Sequence, residues 1–326
     1  MLISCTESMN FDRCRRMWAL TSFNGESLTR VQQSPALALG TLFHKTLADW
    51  LEYPDIDPEQ LCLVHYAEMY EEARNRYHAL HGVMPFDREL ASVASVGELC
   101  RAMIRNYRDY YKSPLPVGYT CVMPEQTLVL DIPGSQQKCK HCDNMQRPIG
   151  CEQCNGTGVV VHQLECTLDA IVSDARGNIY VLDHKTYGNR PKLNTIEHAY
   201  QFRVYCWAAT QLLGSGVRGF LYDGAWKREE PPKGRTFDDL FLRIPVTYNQ
   251  AQQDEIAAHL ALKSKQMYMA DDALLDFNRH WMGCFDCNVE DICTAMSRGE
   301  DVSYVKERWY TRRERTTAFA DDSDSE

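Results

Sequence analysis

The stretch Leu164–Thr186, LECTLDAIVSDARGNIYVLDHKT, decides the reading of this 326-residue chain. Two short apolar runs flank a polar turn, the pattern of an antiparallel strand pair. Asp169 stands in the first run, and Asp183, His184 and Lys185 close the second. With the turn centred on Arg176, positions 169 and 183 are equally far from it, so two carboxylates face each other across the pair, roughly 5 Å apart. Like charges placed that way destabilise a sheet unless something offsets them, and a divalent cation, which favours oxygen ligands, is the natural candidate. Lys185 lies two residues beyond Asp183 and projects from the same face of the strand. The set suits phosphodiester hydrolysis. Taken alone, the hairpin also reads as a solvated Asp169 and a charged strand end.

Two flanking segments bear on that choice. Upstream, ALALGTLFHKTLADWLE (36–52) carries Leu39, Leu42, Phe43, Leu47, Trp50 and Leu51 at helical spacing, with Gly40 one turn before His44. A glycine there would let the backbone of another element approach closely. Downstream, NTIEHAYQFRVYCWAATQLLG (194–214) reads as one helix, with Asn194 as N-cap, Glu197 closing a capping box and Gly214 as its stop. Gln201 and Tyr205 are four residues apart and share a face. Each segment also reads more plainly, His44 as a satisfied core histidine and the Gln201–Tyr205 face as one packed on a sheet.

In order along the chain, these residues resemble the PD-(D/E)XK nucleases, in which an Asp on one strand precedes a carboxylate-x-Lys on the next. Gly40 to His44 is similar to the GxxxH motif of the RecB-like branch, and Gln201 to Tyr205 to its QxxxY motif. The resemblance implies an α/β fold, a mixed central sheet flanked by helices (a restriction-endonuclease-like core), with an N-terminal helical region. It implies Asp169, Asp183 and Lys185 as catalytic residues, and His44, Asp169, Asp183 and the carbonyl of His184 as ligands of Mg²⁺ or Mn²⁺. It also implies Gln201 and Tyr205 as contacts to the DNA backbone, and Glu125 as an acidic group near the metals. The sequence departs from the family at Cys166, near a position that usually carries glycine.

Cysteine usage is a second line of evidence. Fourteen cysteines in a chain whose N-terminus, MLISCTESMN, lacks the basic and apolar regions of a signal peptide point to metal ligation in a reducing compartment rather than to disulfides. Cys139, Cys142, Cys151 and Cys154 form two CxxC pairs, a zinc pattern. CxxCxGxG from Cys151 to Gly158 is similar to one repeat of the zinc domain of DnaJ chaperones. The ribbon lies between two apolar runs, Val129–Asp131 and Val159–Val161, and reads as an insertion at a hairpin tip, serving as a folding staple or a contact surface for DNA or protein. Cys284, Cys287 and Cys293 follow as CxxC-x5-C and need a fourth ligand. Cys14, within FDRCRRMWAL, and Cys5 are the rivals for that place. One early cysteine followed by a late CxxC-x5-C resembles the iron-sulfur arrangement of AddB-type and CRISPR-associated RecB-like exonucleases. That resemblance favours Cys14 and implies a 4Fe-4S cluster; a second zinc or three unliganded thiols are the alternatives.

A net charge of −10 with 44% apolar residues describes a chain able to bury a sizeable core without a general basic coat. Any nucleic-acid surface is therefore local: Arg13, Arg15 and Arg16; Arg190 and Lys192; Lys227, Arg228, Lys233 and Arg235; or Lys306 through Arg315 with Trp309 and Tyr310 interleaved. No apolar run reaches the roughly 18 residues that span a bilayer, so no membrane partner is expected and the location reads as cytoplasmic, in a bacterial, archaeal or phage-infected cell. The organisation expected is a 1–30 segment supplying one cluster cysteine and a helical region at 31–118. A nuclease core follows at 119–280, with the ribbon inserted at 136–160. An iron-sulfur and basic region at 281–315 and an acidic disordered tail at 316–326 complete it. The activity expected is a metal-dependent DNA exonuclease acting on single strands or ends, in recombination, repair, phage DNA metabolism or spacer processing. No P-loop GxxxxGK[ST] is present, so a helicase or a recombination or adaptation protein would be a separate partner. The rival reading is a non-catalytic DNA- or protein-binding subunit of a larger assembly.

Overall fold

The computed structural model describes residues 1–85, 90–142, 150–214, 216–278, 284 and 287–313. The tail at 316–326, with Glu314 and Arg315 of the basic run, lies outside the described residues. In chain order the elements begin with β1 (Leu2–Ser4), α1 (Cys5–Arg13), α2 (Arg15–Thr21), β2 (Leu28–Arg30), α3 (Pro35–Glu52), α4 (Pro58–His81), α5 (Ala91–Ala94) and α6 (Gly97–Tyr111). Strands β3 (Tyr119–Met123), β4 (Gln126–Asp131), β5 (Gln137–Lys138), β6 (Val159–Val160), β7 (Gln163–Leu168), β8 (Ala170–Asp174) and β9 (Ile179–Tyr187) follow. Then come α7 (Leu193–Glu197), α8 (Tyr200–Leu213), β10 (Gly219–Trp226), β11 (Phe241–Thr247) and α9 (Gln250–Tyr268), two short helices at Glu290–Arg298 and Val302–Trp309, and β12 (Tyr310–Arg312).

The fold is mixed α/β and divides into two compact units, one of Met1–Arg30, Thr127–Cys166 and Ala257–Glu326, the other of Val31–Gln126 and Thr167–Ile256. The expected ranges 1–30, 136–160 and 281–315 thus fall in the first, 31–118 in the second, and 119–280 is divided between them.

The second unit is built on a five-stranded sheet of order β11-β10-β9-β8-β3. β9 and β10 run parallel, and the other neighbours are antiparallel. Strand β10 is buried almost throughout because both of its faces are covered. Phe202 of α8 packs on Phe220 and Tyr222, while Tyr107 of α6 meets Asp223, which alternates to the other face. Helix α3 starts at Ser34, whose hydroxyl accepts from Leu37 N, and buries Leu39, Leu42, Phe43, Leu47 and Trp50 on one stripe. That stripe follows the spacing of the sequence. The hairpin β8–β9 has the expected register, Ala170 opposite Leu182 and Ser173 opposite Ile179. Its turn is tied by the Asp174 carboxylate, which accepts from Arg176 N and Asn178 N.

Three local expectations change. Asp169 is not inside a strand but at a bend between β7 and β8. The 194–214 segment is two helices: Lys192 rather than Asn194 precedes α7, and Ala199 is extended ahead of α8. The Glu197 carbonyl, which a continuous helix would give to Gln201, is taken by the Tyr248 hydroxyl at 3.0 Å. Gly214 ends α8 in the left-handed region, as expected (φ 61°). At Gly40 an added Cβ would lie 3.5 Å from Thr186 Oγ1, an ordinary contact, so no close backbone approach requires glycine there.

In the first unit β1-β7-β4 form a three-stranded sheet with β1 parallel to β7. The ribbon interrupts β4 and β7, and Val159–Val160 pair with Gln137–Lys138 at its neck rather than with β4. The cause is local: Ile132 N bonds to His162 O at 2.9 Å, which brings the chain together at the base of the insertion. Early and late segments meet where β2 pairs with β12 over a core of Met17, Leu20, Leu28, Val289, Ile292 and Tyr310.

Candidate active site and cysteine centres

The predicted acidic residues converge within the second unit. Continuation of the β8–β9 register sets position 169 opposite 183. Asp169 Oδ2 accepts from the His184 backbone N–H at 2.8 Å and lies 3.1 Å from His44 Nδ1 on α3. Asp183, on β9, is 1% exposed, and its carboxylate meets Lys185 Nζ at 2.7 Å, both side chains leaving the same face of the strand. The ammonium offsets only part of the cost of burying that carboxylate. Burial opposes the charge on Asp169, but the His44 hydrogen bond and the charges of His44, His184 and Lys185 outweigh it and hold that carboxyl below its ordinary range. Asp183 goes the other way: burial raises it, the Lys185 ammonium opposes, and the Asp169 charge adds to the rise. Burial, with the charge of Asp169, also raises Glu125, against the pull of His44. Two carboxyls pushed apart in this way, one beside an ammonium, are a pattern found at catalytic centres.

A hard cation suits this donor set of carboxylate oxygens and an imidazole. Asp183 Oδ2 is buried and, although close to the Lys185 ammonium, receives no well-angled hydrogen bond, which leaves an acceptor to be satisfied. His44, Asp169 and Asp183 are paired with protein groups, and no three ligand atoms among them lie within 4.8 Å of one another. Gln201 donates to Tyr205 Oη at 2.7 Å, so that pair does share a face of α8, and the Lys185 ammonium lies 5.7 Å from the ring of Phe202 on the same helix.

Three residues of this unit escaped the reading of the sequence. Asp223, on β10 beside His184, takes His184 Nδ1 at 2.7 Å and Arg243 Nε at 2.7 Å, and accepts from the Tyr107 hydroxyl. Arg243, opposite it on β11, also donates to Pro114 O at 3.1 Å and stacks 3.5 Å over Tyr111. A buried carboxylate so surrounded stays ionised: burial opposes, and Arg243 and His184 prevail. The signal was there, a charge at the centre of each of two apolar runs, GFLYDGAW and LFLRIPVTY, at positions that pair across an antiparallel ladder.

The two cysteine constellations, both in the first unit, differ in shape. In the ribbon, Cys139, Cys142, Cys151 and Cys154 bring their sulfurs within 4.8 Å of one another. Cys139 and Cys151 are 3.8 Å apart and Cys142 and Cys154 3.6 Å, close to the roughly 3.8 Å edge of a tetrahedron with Zn–S bonds of 2.3 Å. Burial opposes ionisation of Cys139, but hydrogen bonds from Tyr268 and from neighbouring backbone and thiols bring it down to about 7. This group could hold a metal ion.

The late cysteines join Cys14 around a cavity of about 470 Å³, lined also by Arg16, Met17, Phe277 and Asn278. Cys14 occupies an extended link between α1 and α2 (φ −166°, ψ 118°) that turns it toward this space, whereas Cys5 is buried elsewhere. Among the described residues no three of these four sulfurs come within 4.8 Å. Burial raises the Cys287 thiol, with the sulfurs of Cys14 and Cys284 adding to the rise. Of the arginines offered above as nucleic-acid contacts, Arg16 is buried, while Arg190 and Arg235 pair with Asp239.

A family model described as the PD-(D/E)XK nuclease superfamily matches residues 2–294. The chain belongs to the PD-(D/E)XK nuclease superfamily. No curated protein sequence matches the chain. Among solved structures it is similar to one described as "Crystal structure of SSO0001", at 15% identity and a TM-score of 0.33, covering 68% of this chain and 80% of that one. No helix among the described residues is long and apolar enough to cross a membrane.

Proposed function

We propose that this superfamily member is a Mg²⁺- or Mn²⁺-dependent deoxyribonuclease of the RecB-like type, acting as an exonuclease on single-stranded DNA or DNA ends. The observation that carries the reading is the convergence of His44, Asp169, Asp183 and Lys185, from a helix, the bend before β8 and strand β9, in one partly buried acidic cluster. His44, Asp169, Asp183 and the His184 carbonyl would hold the metal, which lowers the pKa of a bound water and offsets charge building on the phosphate. Lys185, half-buried beside Asp183, would orient the attacking water through its ammonium N–H groups and offset negative charge building on the phosphate. Gln201 and Tyr205 hold the DNA backbone. Asp223 and Arg243 fix the ring of His184, and with it the carbonyl of the same residue. Recombination, repair, phage DNA metabolism or spacer processing is the setting we infer, with a separate helicase or adaptation protein as partner.

The ribbon takes Zn²⁺ and the cavity of Cys14, Cys284, Cys287 and Cys293 a 4Fe-4S cluster. The spacing supports this division, because a single zinc needs sulfurs about 3.8 Å apart and a cubane needs them wider. The decisive experiment incubates end-labelled single- and double-stranded DNA with the protein and Mn²⁺, with and without EDTA. Metal-dependent release of mononucleotides or short products is expected, and Lys185→Ala should bind DNA without cutting it. Tight DNA binding with no cleavage by the wild type under any metal would return the chain to the role of a binding subunit.

A further inference from the structure

Arg16 has no part in the nuclease chemistry above, and its surroundings are unusual for an arginine of a basic run. It is 7% exposed, at the start of α2, two residues after Cys14. Its Nε donates to Leu274 O at 2.7 Å, its guanidinium lies 4.0 Å from the centre of the Phe277 ring, and its Nη1 donates to Cys293 Sγ at 3.4 Å. The donors of the fork are thus divided: one is spent on the backbone carbonyl of Leu274, the other on a sulfur that lines the cavity. Among the described residues no carboxylate forms an ion pair with it, whereas the neighbouring Arg15 is half-exposed and pairs with Asp276 at 3.2 Å. A buried guanidinium with no ion-paired acid among the described residues favours negative charge nearby; Glu290 lines the same cavity, and the four cysteines around it add negative charge once they ligate a metal.

Resting on the cluster reading of the preceding section, we propose that Arg16 is the residue that sets the reduction potential of the cluster. Four thiolates make an oxidised 4Fe-4S centre anionic, and one further electron makes it more so. A charge-assisted N–H···S bond to the Cys293 sulfur favours the electron-rich state and raises the potential. Cation-π contact with Phe277 and the bond to Leu274 O hold the fork in register, so that a lysine, with one donor centre on a flexible stem, cannot replace all three contacts. Arg16 is a positioning and charge-compensating residue, not a ligand and not a DNA contact.

The test uses the full chain purified anaerobically, as wild type, Arg16→Gln, Arg16→Lys and Arg15→Gln. Iron and sulfide content and absorbance near 400 nm report the cluster. Anaerobic titration with dithionite, the electron donor, followed by electron paramagnetic resonance, reports the potential. Arg16→Gln and Arg15→Gln lose the same charge, but only the first loses the bond to sulfur. We expect both Arg16 variants to keep iron and to titrate at a more negative potential than wild type, with Arg16→Gln shifted furthest and Arg15→Gln close to wild type. Equal potentials for Arg16→Gln and Arg15→Gln would overturn the assignment while leaving the cluster reading intact. Loss of iron from both Arg16 variants would also overturn it, making Arg16 a builder of the cavity wall. Wild-type protein without iron would remove the cluster reading and this inference with it.

Discussion

The acidic site of one unit and the cysteine cavity of the other are both candidate ligand sets, yet they balance their charges in opposite ways. In the acidic site the charges pair with protein groups: His44 with Asp169, Lys185 with Asp183, and His184 and Arg243 with Asp223. In the cavity four sulfurs face a space of about 470 Å³, and among the described residues the Arg16 guanidinium donates to one of them. A site whose charges are internally compensated keeps its shape without its metal and can exchange it. A site whose compensation depends on the bound group gains folding free energy from that group and loses it on removal.

The largest consequence is for turnover. Lys185→Ala should lower kcat roughly 10³-fold, the usual worth of a general acid-base or charge-stabilising group, with the Kd for DNA nearly unchanged. Single-turnover cleavage and a filter-binding assay together measure both. Next is the cavity: Cys287→Ser or anaerobic iron chelation should cost the folded state about 3 kcal/mol, because a cluster joining residues 14 and 293 closes a long loop. EDTA under conditions that spare the cluster and the ribbon's zinc should abolish cleavage yet leave the urea midpoint close to its starting value. Equal loss of stability from both treatments would erase the contrast.

Within the pocket the compensation itself can be broken. Asp223→Asn leaves Arg243 without its buried counter-charge and should cost about 2 kcal/mol in urea unfolding, beyond any effect on cleavage. The smallest expected effect has the opposite sign. The folded carboxyl of Asp183 titrates above its ordinary value, so its charge costs stability once pH has risen through that folded value. Asp169 titrates below, so its contribution is complete above the ordinary 3.8 and is lost as pH falls through the folded value. Asp183→Asn should therefore stabilise the EDTA-treated protein by about 1 kcal/mol at pH 8 while abolishing cleavage, a trade between stability and activity. A lower urea midpoint for that variant at pH 8 would mean that its pairing with Lys185 outweighs its burial.

Much of the pocket was legible in the residues. The distance of Asp169 and Asp183 from Arg176 follows from the turn alone, since a two-residue period leaves one register once the turn is placed. The stripe of α3 and the stop at Gly214 are equally local. The break at Ala199 was not legible, because its cause, the Tyr248 hydroxyl on the Glu197 carbonyl, comes from about 50 residues away in the chain. Nor was the partnership of Asp223, Arg243, Tyr107 and His184, which needs β10 to be known as the neighbour of both β9 and β11.

The sequence by itself determined residue types, their spacing and the hairpin register, because these depend on local backbone geometry and on the period of side chains along a strand or helix. Only the tertiary structure decided that Arg16 is turned inward to a sulfur and that a second buried carboxylate stands behind His184. Those outcomes follow from which distant segments pack together, and packing is a property of the whole chain's burial rather than of any one window of it.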